Sequence, residues 1–96
     1  MEPIRGLILT EMDNVAMVLA SGKPGDRVNC GRAEITLQDQ VPYGHKVAFQ
    51  TIHKGEPVMK YGQPIGVAAC EIAPGQHVHI HNVLGHKPFL RGQKEG

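Results

Sequence analysis

Apolar residues along this chain come in runs of four to eight, each closed off by glycine, proline or a polar cluster. The runs are "GLILT" (6–10), "VAMVLA" (15–20), "RVNC" (27–30), "AEITL" (33–37), "KVAFQTI" (46–52), "PVMKY" (57–61), "IGVAACEI" (65–72) and "HVHIHNV" (77–83). No window sustains the 3.6-residue apolar period that an amphipathic helix needs. Short runs separated by turn residues predict an all-β domain with little helix. Residues 38–45, "QDQVPYGH", read as a loop with room for one helical turn. The folded domain is expected over residues 1–84. Beyond it "GHKPFLRGQKEG", residues 85–96, has no apolar pattern and reads as a flexible tail or the start of a linker.

A faint internal repeat runs through these strands. "IHKGEPVM" (52–59) and "IAPGQHVH" (72–79) align at a period of 20, and "KPGDRVN" (23–29) echoes the same Gly-x-x-Val. Each copy reads as one device, a glycine turn feeding a strand whose valine points inward. The copies are too few and too short for a solenoid, so a compact β-structure is expected.

Composition narrows the function classes. At 96 residues the chain holds one core and has little depth for an enclosed substrate cavity. A net charge of +1 and four aromatic residues argue against a nucleic-acid surface. The N-terminal "MEPIRGLILTEMDN" has neither the apolar length of a membrane span nor the pattern of a signal peptide. A cytoplasmic protein is therefore expected, with Cys30 and Cys70 as reduced thiols.

The chemistry concentrates in "HVHIHN", residues 77–82, which holds three of the six histidines. On a strand, His77, His79 and His81 share one face while Val78 and Ile80 share the other, which is expected to face the core. Two neutral imidazoles on one strand face, His79 and His81, suit a shared transition metal; protonated, they suit a carboxylate. Alternatively the row is only a solvated strand face. His77 is the weakest member, because it follows Gly75-Gln76 and belongs partly to the turn. In "YGHK", His45 and Lys46 sit at a strand mouth beside a glycine, where backbone approaches ligands closely. Lys60 precedes the turn of "KYGQPIG", and Asp13 and Asn14 lie in "EMDNV" between two apolar runs, by default a turn. No phosphate-binding loop, dinucleotide fingerprint, nucleophile elbow or cysteine-rich zinc site is present.

Taken in order, "DNV" (13–15), "VPYGHKVA" (41–48), "KGEPVMKYGQPIG" (54–66) and "EIAPGQHVHIHNV" (71–83) resemble the SAF domain of the altronate/galactarate dehydratase family, which also occurs as the small subunit of sulfolactate sulfo-lyase. The resemblance covers residues 5–84 and is densest from Pro42 to Val83. It implies a β-clip fold and a place beside a much larger catalytic domain or subunit that depends on a divalent metal, often iron(II). It implies a sugar-acid substrate and a hydro-lyase reaction, with the possibility of a homo-oligomer. Carried over residue by residue, it makes His45, Lys46, His79 and His81 the catalytic candidates. Asp13, Asn14, Lys60 and Asn82 become the substrate-binding candidates, and His79 and His81 the candidate metal ligands. SAF domains also serve as binding modules in pilus and flagellar assembly, which are usually exported proteins. The shared-site reading predicts that the side chains of His45, Lys46, His79 and His81 converge on one exposed patch.

Overall fold

The computed structural model describes residues 2–85. Nine strands follow one another: β1 (Ile4–Leu7), β2 (Val15–Val18), β3 (Arg27–Asn29), β4 (Glu34–Thr36), β5 (Lys46–Ala48), β6 (Pro57–Lys60), β7 (Gln63–Ala68), β8 (His77–Val78) and β9 (Val83–Leu84). There is no helix among the described residues, so the fold is all-β as the apolar pattern predicts. Six strands form one sheet in the order β4-β3-β1-β2-β5-β8, and β6-β7-β9 form a second. Pairing is antiparallel throughout except for β1 and β3, which run parallel. The proposed tail from residue 86 onward lies outside the described residues.

The Gly-x-x-Val device recurs four times, once more than the repeat read from the sequence. Gly25, Gly44, Gly55 and Gly75 all adopt positive φ, between 83° and 95°. Three residues after each comes a fully buried valine: Val28, Val47, Val58 and Val78. Every copy closes with a backbone turn bond, Asp26 to Lys23, His45 to Pro42, Glu56 to His53 and Gln76 to Ala73. In each, the glycine N–H reaches the carbonyl of another segment: Leu37, Val18, Ala68 and Ala48 respectively. Isolated bridges tie the copies in pairs, Gly22 to Val41 and Ile52 to Ile72.

Two small cores result, where the length of the chain predicts one, because β2 and β5 run between them with both faces buried. One gathers Val15, Ala48, Ile52, Val58, Ala68, Ile72, Val78 and Val83. The other gathers Ala16, Val18, Val28, Cys30, Ile35, Leu37, Val41 and Val47. Neighbouring residues of β2 (Val15, Ala16) and of β5 (Val47, Ala48) go to opposite cores. These strands are buried on both faces, which is why "VAMV" and "KVAF" read as continuous apolar runs rather than alternating ones. Cys30 is buried, Cys70 is exposed, and the two are not bonded.

The structure corrects the sequence reading at one point that bears on function. "HVHIHNV" is not a single strand: β8 stops at Val78, and residues 79–82 turn before β9 begins. Val78 is buried as expected, but Ile80 lies at the turn and is 72% exposed. The cause is Asn82. Its Oδ1 accepts the His79 N–H at 2.9 Å, and its Nδ2 donates to the His77 carbonyl at 2.8 Å. With the Asn82 N–H on the His79 carbonyl, these bonds offer the backbone a turn in place of a ladder.

Candidate functional site

The site begins with the pairing of β5 and β8, which sets Lys46 opposite Val78 and Val47 opposite His77. That register brings the turn before β5, carrying His45, against the edge strand carrying His77. In three of the four turn copies the residue after glycine latches back onto the turn: Asp26 onto the Lys23 N–H, Glu56 onto the His53 N–H and Gln76 onto the Ala73 N–H. In the fourth copy that N–H would belong to Pro42, and proline has none. His45 therefore has no latch to make, and its ring turns toward His77 instead.

The imidazoles stack. His45 and His79 have ring centroids 4.5 Å apart, His45 and His77 5.1 Å, and His77 and His79 5.4 Å, with interplanar angles of 11–27°. His45 Nδ1 and His77 Nε2 are 2.9 Å apart, one ring donating and the other accepting. His81 is exposed and tilted against His77 at 5.3 Å. His77 lies centrally in the group, and its backbone N–H donates to Asp39 Oδ2 at 2.9 Å. Burial pushes the His77 pKa down, and the neighbouring His45, His81 and His79 push it further, to about 4. At neutral pH its ring is uncharged, with a lone pair to offer.

Lys46 enters from the other side. With Ile65, His79, Ile80 and Val83 it lines a shallow pocket of about 120 Å³, well below the volume that encloses a typical small-molecule ligand. Burial lowers the Lys46 pKa, and the nearby Lys60 ammonium adds to the shift. Lys60 also lies 4.8 Å over the Tyr61 ring. His45, Lys46 and His79 thus gather with His81 against His77 and Lys60 at the margin, but not on an exposed patch as expected: of the four, only His81 is exposed and the others are half-buried.

Asp13, Asn14 and Asn82 take a different place: all three are buried, with polar atoms turned to the chain itself. Asp13 accepts from the N–H groups of Leu9, Thr10 and Gly62 and from Thr10 Oγ1. It clamps the loop before β2 onto the Tyr61-Gly62 hairpin, whose two tip residues both have positive φ. Asn14 inserts at the irregularity between Val58 and Met59. There its Oδ1 accepts the Met59 N–H at 2.7 Å, and its Nδ2 donates to the Pro57 carbonyl at 2.9 Å. These residues build the frame, and Asn82 positions the histidines directly.

The candidate metal donors also regroup. The sequence favours His79 with His81, but among the described residues the nitrogens of His45, His77 and His79 are the ones that all lie within 4.8 Å of one another. His77, the weakest member of the row by sequence, is part of β8, and its i, i+2 spacing with His79 is the signal for it. The Asp39 contact had no local signal at all. A donor set of half-buried imidazoles fits a borderline transition metal such as iron(II).

Comparison with known proteins gives the family. The family model of the altronate/galactarate dehydratase SAF domain matches residues 4–86. The chain belongs to that family. It is 48% identical over 71 residues to altronate dehydratase of Escherichia coli (strain K12) and 38% identical over 72 residues to that of Bacillus subtilis (strain 168). These alignments cover 74% and 75% of this chain but only 14% of each relative, so the SAF domain is a small part of those proteins. Against the (2R)-sulfolactate sulfo-lyase subunit alpha of Chromohalobacter salexigens it is 40% identical over 50 residues, covering 52% of this chain and 53% of that one. Among the described residues, no helix is long and apolar enough to cross a membrane.

Proposed function

We propose that this chain acts as the SAF domain or small subunit of a sugar-acid dehydratase of the altronate or galactarate type, completing the active site of a larger catalytic unit. The observation that carries this reading is the convergence of His45, His77, His79 and Lys46 at one edge of the domain, beside a pocket of about 120 Å³ that is too small to enclose a sugar acid. Removing water from such an acid means taking the proton alpha to the carboxylate and expelling the hydroxyl on the next carbon. Charge grows on the carboxylate as the proton leaves, and a fixed cation lowers the barrier. Lys46 is suited to hold that carboxylate, with Lys60 adding to the positive field. The exposed His81, which lies outside the group of three closely set imidazoles, is suited to take the proton and to return it to the leaving hydroxyl. In the complete enzyme a divalent metal, iron(II) by resemblance, would stabilise the same developing charge as a Lewis acid.

A second reading is the small subunit of a sulfolactate sulfo-lyase, in which sulfite leaves instead of water. It is supported by the 40% identity over 50 residues to a (2R)-sulfolactate sulfo-lyase subunit alpha. The test is reconstitution with the larger catalytic chain and ferrous iron. The expected result is a 2-keto-3-deoxy acid from altronate or galactarate only when both chains are present, lost in His79→Ala while the complex still forms. Release of sulfite from sulfolactate would transfer the assignment to the sulfo-lyase. Full activity without this chain would end both readings.

A further inference from the structure

We infer that His45, His77 and His79 together bind a single divalent transition-metal ion on this chain, without any ligand from a partner. The inference deepens the reading above by assigning the ion to these residues, and it rests on that reading only for the ion's use in catalysis. Its geometric basis is proximity. The 2.9 Å between His45 Nδ1 and His77 Nε2 is close to the edge of about 3.0 Å that two nitrogens at cis positions on a metal make with bonds near 2.1 Å. The His79 nitrogen lies within 4.8 Å of both, and the terminal torsion of a histidine ring is soft enough to bring it in.

The surroundings are built to hold this arrangement. Asn82 fixes the His77 carbonyl and the His79 N–H at once, and Asp39 fixes the His77 N–H. Three bonds to backbone groups therefore brace the two donors of β8 and its turn. No turn bond accounts for a histidine at position 45, because Pro42 removes the one its counterparts make. Neutral imidazoles suit iron, nickel, copper or zinc. Three protein donors leave positions open on the ion, the pattern of a catalytic rather than a closed structural site.

The test is titration of the tag-free 96-residue chain with cobalt(II), read by its visible absorption, and with zinc by calorimetry. The expected result is one ion per chain, with affinity weakened at least tenfold in each of His45→Gln, His77→Gln and His79→Gln. His53→Ala, in a histidine paired with Glu71 outside the cluster, should bind as the unaltered chain does. Far-UV circular dichroism identifies any variant that has lost its fold, and His45→Gln, in the turn before β5, gives a check that leaves β8 unaltered. Absence of saturable 1:1 binding would overturn the inference. So would a loss confined to His79→Gln and His81→Gln, which would restore the pair expected from strand spacing. Because the readout is binding by this chain alone, failure here leaves the reconstitution assay free to succeed.

Discussion

His45 and His77, 32 residues apart in the chain, meet through ring nitrogens 2.9 Å apart because β5 and β8 pair antiparallel. Neither ring is a latch of its own turn. Replacing His45 with Gln removes one part-buried hydrogen bond and should cost the domain about 1 kcal/mol. Urea denaturation of the metal-free chain checks this. A loss several times larger would mean that the histidine stack itself supports the fold.

Asn82 should behave in the opposite way. Asn82→Ala removes the acceptor of the His79 N–H and the donor to the His77 carbonyl, both in a closed turn. A stability loss of about 2 kcal/mol is expected, together with altered ring-nitrogen shifts of His77 and His79 in NMR spectra. Unchanged shifts would separate the turn from the positioning of the rings.

The repeated turns permit a paired comparison of glycines. Gly25 and Gly75 share positive φ, but a Cβ on Gly25 meets nothing within 4 Å, whereas one on Gly75 would run into the Thr36 carbonyl. Gly25→Ala should cost about 1–2 kcal/mol, the penalty of a left-handed backbone. Gly75→Ala should cost about 1–3 kcal/mol more, as overpacking does. Equal midpoints in thermal unfolding would show that the strand bearing Thr36 yields freely.

Acid stability should fall in two separable windows in the metal-free chain. Burial lowers the His77 pKa to about 4, so the unfolded chain binds a proton there that the folded chain refuses. Stability from this source is full above about pH 6.5, the ordinary histidine value, and is lost as pH falls toward 4. Burial alone would raise the Asp13 pKa, but bonds from Gly62, Thr10 and Leu9 outweigh it and bring it below its ordinary value. Its contribution is present above the unfolded carboxylate pKa of about 3.9 and is lost as pH drops further. His77→Gln should flatten the upper window and Asp13→Asn the lower one. Melting temperature against pH for both variants tests the assignment.

What could be read from the sequence was local. Gly25, Gly55 and Gly75 each declare their turns within a few residues, and the valine three positions on follows from strand geometry. The copy at Gly44 was hidden because Pro42 and His45 replace the residues that make its counterparts alike. Asp13 and Asn14 look like surface turn residues until the chain returns 43 to 49 residues later with Pro57, Met59 and Gly62. Nothing near them announces those partners. The break after Val78 was also hidden: alternation favours a strand through residue 83, and one side chain, Asn82, makes the turn win.

Repetition has a further consequence. Four near-identical turns give the fold redundancy, and redundancy gives latitude: with three corners securely fastened, the fourth is free to diverge without unravelling the whole. Position 45 is that corner. A protein assembled from copies of one small part thus acquires a vacancy for chemistry wherever a copy stops being needed for shape.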